Sequence, residues 1–195
     1  MPEPLELSDT EKARWDAAGS AMRDLADALL SGDEDGAAAA MNQVRQMDLD
    51  LARFRDSLHV PDDAGDLEDP LTRLLLRIPD GWGRWIGCSR GWYPLIVRLD
   101  AQLAALDPGY TVHQVKEKFG GLRFYTSSET EPDVQEAMHA LIDEAERASV
   151  RICEVCGSDG ALSRSAGGWY RTLCPSCRVD ADRGYRPVRD DAPGS

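Results

Sequence analysis

The chain has no long apolar run, and it contains little lysine or histidine. No stretch approaches the roughly 18 apolar residues of a membrane-spanning helix, so we expect none. The first residues, MPEPLELSDTEK, are acidic and lack an apolar run, which argues against a signal peptide. We therefore expect a cytoplasmic protein in a reducing environment. At 195 residues it has room for one domain of ordinary size, or for one domain and a small appendage.

An excess of positive charge is also absent. The formal net charge is −13 at pH 7, and it is unevenly distributed, because residues 1–80 carry −11 and residues 81–195 carry the remaining −2. A strongly acidic chain is a poor general binder of nucleic acid. This exclusion applies to the N-terminal part and leaves the C-terminal part open.

Four of the five cysteines form two CxxC pairs near the C-terminus. Cys153 and Cys156 are the first pair, and Cys174 and Cys177 follow after seventeen residues. The pattern is typical of structural zinc, because four thiolates fill a tetrahedral shell and leave no position for a reacting water. The alternatives are two disulfides or a redox CxxC, but nothing marks secretion and no thioredoxin-like βαβ context surrounds either pair. We predict Zn²⁺ as a structural cofactor.

The zinc module, 151–188, is predicted to resemble a treble clef. The first cysteine pair and Gly157 form a knuckle, residues 161–173 form a hairpin, and Pro175 suits the first turn of a helix. Treble clefs include the HNH nucleases, whose chemistry needs histidines, but the three histidines of this chain all lie outside the module. The sequence therefore disfavours nuclease activity. Arginines cluster at the exit of the module, at Arg178, Arg183, Arg186 and Arg189.

Residues 1–60 are predicted to form an acidic helical hairpin. Ser8 and Glu11 make a capping box, and SGDEDG at 31–36 ends the first helix. Apolar residues recur at alternating steps of three and four in both helices: Trp15, Ala18, Met22, Leu25 and Leu29, then Ala37, Ala40, Val44, Met47, Leu51, Phe54 and Leu58. Such stripes are typical of an antiparallel helix pair. Two interpretations are open: the stripes pack on each other and on the main domain, or residues 8–58 mediate self-association or partner binding as a coiled coil.

The rest of the chain is predicted to be α+β. Residues 61–70 have the composition of a linker, with two prolines and five acids. Residues 71–150 are predicted as the core, with an α-β-β-α pattern in which a hairpin over 110–127 lies between two helices. Residues 189–195 are predicted to be a disordered tail.

The hairpin carries the candidate ligand-binding residues. With Gly120-Gly121 as a two-residue turn, Lys118 lies opposite Arg123 and Lys116 lies opposite Tyr125. These four side chains share one face, and the other face is apolar except for Glu117. Like charges directly opposite each other are unfavourable, so something must offset them. The alternatives are acids of the N-terminal helices or linker, or an anionic ligand such as a nucleic-acid backbone, with Tyr125 as a stacking platform.

Residues 80–92 hold three tryptophans and four glycines. Either an irregular loop folds over the core through Trp82, Trp85 and Trp92, or the tryptophans form a ligand pocket. Cys88 lacks both a cysteine partner and the spacing of a phosphatase loop, so we do not interpret it as a nucleophile. Glu117 needs a partner, such as an arginine of this segment. No second acid, histidine or nucleophile lies beside it in the sequence, and we assign no catalytic residue.

Five segments carry a resemblance. They are GW-x-PLI at 91–96, QVKEKFGGLRFY at 114–125, AE-x-AS at 145–149, ICE-x-CG-x-x-G-x-L at 152–162 and GW-x-x-TLC at 168–174. Together they resemble a family of small uncharacterised proteins of bacteria and their phages. The resemblance covers roughly residues 81–177, leaves out the helical hairpin and implies no activity.

These features favour a zinc-stabilised, non-enzymatic binding protein that contacts nucleic acid through the hairpin face and the zinc module. The alternative is a phage- or defence-related protein-interaction adaptor that acts through the acidic helical hairpin. An enzyme is the third interpretation.

Overall fold

Two compact units, Met1–Ser57 and Leu58–Ser195, make up the chain in its computed structural model. The structure describes residues 6–181 and 183–188, so the predicted disordered tail at 189–195 lies outside the described residues. The fold class is α+β, as predicted, with an N-terminal helix pair, a mixed sheet with helices, and a small C-terminal sheet beside four clustered cysteines. None of the described helices is long and apolar enough to cross a membrane.

The N-terminal unit contains the predicted helix pair and a short third helix. Their bounds are α1 (Asp9–Ser31), α2 (Glu34–Gln46) and α3 (Leu51–Asp56). The predicted capping box begins α1: the Glu11 amide donates to Ser8 Oγ, and the Ser8 amide donates to the Glu11 carboxylate at 2.8 Å. Gly32 ends α1 with a φ of 74°, in the left-handed region that glycine adopts readily.

The second predicted helix is not continuous, because it breaks after Gln46 and resumes at Leu51. Asp50 caps the new helix: its carboxylate accepts a hydrogen bond from the Arg53 amide at 2.9 Å. An aspartate that bonds a nearby amide competes with helix continuation, and the apolar stripe alone did not indicate this competition.

The buried side of α1 differs from the predicted stripe. Met22 and Leu29 are exposed, whereas Ala21 and Ala28 are buried. Small alanine side chains therefore supply much of the buried surface of α1, and two of the predicted large residues face solvent.

A four-stranded mixed sheet with strand order β1-β2-β3-β4 forms the centre of the second unit. The strands are β1 (Leu58–His59), β2 (Arg84–Gly87), β3 (Thr111–Lys118) and β4 (Gly121–Ser127). The first three run parallel, and β3 and β4 form the predicted antiparallel hairpin. Neither β1 nor β2 was predicted, and β2 occupies the middle of the tryptophan-rich segment, which is therefore not wholly irregular.

Three helices and the sheet enclose one hydrophobic core. The helices are α4 (Glu68–Leu75), α5 (Tyr93–Leu106) and α6 (Pro132–Ser149). The hairpin contributes Val115, Leu122 and Phe124 to this core, and all three are buried. Side chains alternate between the faces of a strand, so the intervening residues of the hairpin lie on the opposite face of the sheet.

The segment predicted as a linker, 61–70, belongs to the second unit. Ala64 is buried in the core, and α4 begins within the segment. The Asp63 carboxylate accepts a hydrogen bond from the Tyr93 hydroxyl at 3.1 Å. The acids that suggested a solvated linker thus include one that fixes a core side chain, and the boundary between the units falls after Ser57.

The outward amides of β4 are covered by side chains of α6. The Leu122 amide donates to Ser149 Oγ at 2.9 Å, and the Phe124 amide donates to Glu146 Oε1 at 3.1 Å. Ser149 is fully buried. An unpaired buried amide is costly, so the two helix side chains stabilise the strand by satisfying these two amides.

A second, three-stranded sheet with the order β6-β5-β7 lies near the C-terminus. Its elements and the adjoining helix are β5 (Ala161–Arg164), β6 (Tyr170–Leu173), α7 (Pro175–Asp180) and β7 (Arg186–Pro187). A small apolar cluster forms around Leu173 and Tyr185 together with Cys153 and Cys174. The predicted order of knuckle, hairpin and helix is confirmed.

Candidate functional site

The four predicted metal ligands come together in space. The sulfur atoms of Cys153, Cys156, Cys174 and Cys177 all lie within 4.8 Å of one another. Cys156 Sγ and Cys174 Sγ are 3.7 Å apart. Four sulfurs at about 2.3 Å from a tetrahedral metal ion are separated by about 3.8 Å, whereas a disulfide requires about 2.05 Å. The spacing fits metal coordination, and all four thiols are free of disulfides.

Local structure places each pair of thiols. The first pair lies on a tight turn that Gly157 closes with a φ of 78°. In the second pair, Cys174 caps α7, and its sulfur accepts a hydrogen bond from the Cys177 amide at 3.4 Å. Pro175 suits the first turn of the helix, where its missing N–H costs no hydrogen bond. The two pairs thus face one point from a knuckle and from a helix N-terminus.

The electrostatics of the cluster favour a cation. Hydrogen bonds from Ser158 lower the pKa of the Cys156 thiol to about 6, which favours its thiolate. The neighbouring sulfur of Cys174 raises the pKa of the Cys177 thiol, because two adjacent thiols compete for negative charge. A bound divalent ion allows all four to ionise, and thiolate is the ligand class that zinc prefers. With four protein ligands, such a centre is closed and structural.

The knuckle packs directly on the core. The Gly91 amide donates to the Glu154 carbonyl at 2.8 Å, and the Trp92 indole donates to the Ile152 carbonyl, also at 2.8 Å. A Cβ atom on Gly91 would lie only 2.1 Å from the Cys153 carbonyl oxygen. The residues predicted as a zinc module therefore form one compact unit with the core.

Glu154, between the first two cysteines, is a buried carboxylate that was not predicted to matter. It forms an ion pair with Arg171 and accepts a hydrogen bond from the Thr172 amide at 3.2 Å. Burial raises its pKa, and the arginine partner opposes this effect. The carboxylate therefore ties the knuckle to β6. A glutamate inside a CxxC pair is normally exposed, so only the position of β6 could have indicated this role.

The hairpin register differs from the predicted one. The turn residues are Phe119 and Gly120, with φ values of 56° and 77°, so Lys118 lies opposite Gly121 and Lys116 lies opposite Arg123. From Gln114 to Lys118, the partner of each β3 residue is shifted by two positions along β4, and a bulge between Val112 and Gln114 changes the register beyond them. A shift of two preserves the faces, so the four candidate residues still share one face, but Phe119 lies in the turn and is 69% exposed.

The cations of the candidate face differ in whether they form an ion pair. Arg123 forms an ion pair with Glu146 at 3.3 Å, so an acid of α6, which was not among the predicted alternatives, offsets its charge. Lys116 Nζ lies 5.6 Å from the centre of the Tyr125 ring, and Lys118 Nζ lies 5.4 Å from that of Phe119. Neither lysine forms an ion pair with a carboxylate among the residues that the structure describes.

Glu117, on the apolar face, finds its partner in the turn and not in the tryptophan-rich segment. Its carboxylate accepts a hydrogen bond from the Gly120 amide. The arginine partner that was expected for it is therefore replaced by a backbone donor. The carboxylate holds the turn in place.

The three tryptophans of the 80–92 segment have different environments. Trp92 is fully buried, whereas Trp82 is 56% exposed and Trp85 is 40% exposed. The prediction that indoles fold over the core therefore holds only for Trp92. An open cleft of about 560 Å³ lies nearby, and none of the three tryptophans lines it.

Cys88 lines that cleft and packs partly against the core. Burial, with the carboxylates of Glu117 and Glu154, raises the pKa of its thiol. A neutral thiol is a weak nucleophile, in agreement with its interpretation as a packing residue.

Comparison of the chain with protein-family models, curated proteins and solved structures found no match. The functional proposal therefore depends on the chemistry of the thiol cluster and of the hairpin face.

Proposed function

We propose that the chain is a zinc-stabilised, non-enzymatic protein that binds nucleic acid through the solvent-facing side of its hairpin. The observation that carries this proposal is the pairing of Lys116 with the Tyr125 ring and of Lys118 with the Phe119 ring. Lysines bind phosphates, and exposed rings stack on bases. Arg123 is already paired with Glu146, and we assign it a role in stability and not in binding.

Zinc is the metal that we propose for the four cysteines. It supplies a rigid tetrahedral cross-link between the knuckle and α7, and binding of structural zinc contributes about 10 kcal/mol or more to the folding of small zinc modules. Elemental analysis of reduced protein should find one zinc per chain. Cys174→Ser should lose the metal, whereas Cys88→Ser, outside the cluster, should retain it. Iron in place of zinc, or no stoichiometric metal, would contradict the assignment.

A salt titration tests the nucleic-acid function. Full-length, zinc-loaded protein should bind a labelled DNA or RNA oligonucleotide at low salt and lose affinity as salt rises, because phosphate contacts release counterions. The double variant Lys116→Ala/Lys118→Ala should weaken binding and leave the melting temperature unchanged. The matched variant Arg123→Ala should lower the melting temperature, because it removes the ion-pair partner of Glu146, with little change in affinity. Equal affinity of the lysine variant and the wild type would exclude this face as the site.

The adaptor function has one specific observation in its favour. On α1, Leu29 is 67% exposed and Leu30 is 88% exposed. Adjacent exposed leucines on an acidic helix suit a protein partner or a second copy of the chain. Sedimentation of the full chain and of a Leu29→Gln/Leu30→Gln variant would test self-association. A concentration-dependent dimer of the wild type that the variant abolishes would support the adaptor.

A further inference from the structure

A series of cation–ring pairs extends from the hairpin onto the C-terminal sheet. The pairs are Lys116 over Tyr125, Lys118 over Phe119, Arg164 over Tyr170 and Arg183 over Trp169, with distances to the ring centres of 5.6, 5.4, 5.7 and 5.6 Å. Three of the four rings are well exposed: Phe119 by 69%, Trp169 by 64% and Tyr125 by 42%. Each pair places a positive charge and an aromatic face side by side.

The two sheets meet at the hairpin turn. Thr172 Oγ1 donates to the Gly120 carbonyl at 2.6 Å, and a Cβ atom on Gly120 would lie 2.3 Å from Leu162 Cδ1. Gly120 also has a φ of 77°, in the left-handed region, so both its conformation and the close approach of the small sheet favour glycine at this turn position.

The register of β5 and β6 extends this contact to the next cation–ring pair. Leu162 lies opposite Thr172, and Arg164 lies opposite Tyr170 two residues further along. Residues two apart on a strand share a face. Arg164 and Tyr170 therefore lie on the same face of the small sheet as the two residues that contact the turn, next to the end of the hairpin that carries Lys118 and Phe119.

We propose that the outer face of the hairpin and this face of the small sheet together bind single-stranded nucleic acid, along a path that runs from Tyr125 past Phe119 to Tyr170. The inference rests on the proposed nucleic-acid function and specifies its substrate. An exposed ring can stack only on a base whose face is free, and a duplex covers its base faces by internal stacking. The cation of each pair has a long, flexible side chain and can contact a phosphate of the bound strand.

The number of available cations limits the electrostatic part of binding. Lys116, Lys118 and Arg164 are the cations of the three pairs on this path. Three phosphate contacts on a single strand give a salt slope of about −2 in a plot of log affinity against log salt. The net charge of −13 opposes any larger electrostatic contribution, so base stacking must supply much of the affinity.

Fluorescence anisotropy with zinc-loaded, full-length protein tests the proposal. The probes are labelled oligothymidylates of increasing length, oligouridylates of the same lengths and a duplex of matched length. We expect the single strands to bind at least tenfold more tightly than the duplex, with affinity rising until the strand reaches both sheets. Tyr125→Leu should weaken binding at every length by about tenfold, the loss of one stacked base.

Two variants test the part of the path that lies on the small sheet. Tyr170→Leu and Arg164→Gln should weaken binding of long strands and leave that of short strands unchanged. Arg147→Gln, an exposed arginine of α6, is the charge-matched control and should bind as the wild type does. Melting temperature and zinc content are measured for each variant, and Arg164→Gln remains informative if Tyr170→Leu is unstable, because Arg164 is exposed.

The outcomes separate the inference from the function on which it rests. Binding to no nucleic acid would overturn both. Duplex binding as tight as single-strand binding would overturn the single-strand assignment and leave the nucleic-acid function intact. Preference for single strands with no effect of Arg164→Gln at any length would overturn the path across the small sheet.

Discussion

Substitution of Gly91 by alanine tests how the zinc-bearing knuckle is held on the core. The added Cβ atom would lie 2.1 Å from the Cys153 carbonyl oxygen and 2.7 Å from the Glu154 carbonyl carbon. These are backbone atoms that cannot move aside as a flexible side chain can. Overpacking costs about 1–3 kcal/mol, and each of the two 2.8 Å hydrogen bonds from Gly91 and Trp92 contributes about 1 kcal/mol.

We therefore expect Gly91→Ala to lower the free energy of unfolding by about 3–5 kcal/mol, which corresponds to a fall in melting temperature of about 10 °C for a chain of this size. Thermal denaturation followed by circular dichroism measures the shift. Gly167→Ala is the matched control, because its Cβ would meet nothing closer than Trp169 Cδ1 at 3.6 Å. Zinc content should stay at one per chain in both variants, since no ligand is changed. A melting temperature of Gly91→Ala within about 2 °C of the wild type would refute the packing described.

Three further predictions concern other parts of the chain. Ser149→Ala removes the acceptor of the buried Leu122 amide and should lower the free energy of unfolding by about 1–3 kcal/mol in urea denaturation; no change would mean that the amide finds another partner. Hydrogen bonds from Ser8, then from Arg53, lower the pKa of Glu11 to about 2, below its ordinary 4.5. The stabilisation by this carboxylate should be complete above pH 4.5 and lost as the pH falls towards 2; a carboxyl NMR titration should find the low midpoint, and Ser8→Ala should raise it. Deletion of residues 1–57 should leave a zinc-loaded protein with a cooperative thermal transition. Deletion of residues 1–66 also removes the buried Ala64, so this shorter protein should have a lower melting temperature than the first. Equal melting temperatures of the two truncated proteins would mean that the boundary between the units lies later in the chain.

Local signals were sufficient where the structure depends on neighbours in sequence. The capping box at Ser8, the two CxxC pairs and the α-β-β-α pattern were all predicted, because each is defined by residues a few positions apart. The break at Asp50 was missed because the same stripe continues on both sides of it. The parallel strands β1 and β2 were missed because their pairing joins distant segments, and a strand of two or four residues has no measurable periodicity.

The turn shows how tertiary contacts override a local preference. Gly120-Gly121 is the favoured two-residue turn by sequence, but the chain turns at Phe119-Gly120, and Phe119 adopts a positive φ that is uncommon for a large side chain. Gly120 packs against Leu162, and a Cβ on Gly121 would lie 3.4 Å from Val150 Cγ1. The close contacts of Gly120 come from Leu162 and Arg171 of the small sheet, which are distant in sequence, so no local pattern could have indicated the observed turn.

The α6 side chains that cover β4 affect how two molecules of this protein can associate. An edge strand with free amides is a template for strand addition by a second chain, which is one route to fibrils. Ser149 and Glu146 occupy the amides of Leu122 and Phe124, so a neighbouring molecule has no donors to pair with at these positions. The hairpin can therefore present its flat face to a ligand while its edge resists polymerisation. Strand addition is thereby disfavoured at Leu122 and Phe124, whereas the face of the hairpin remains accessible.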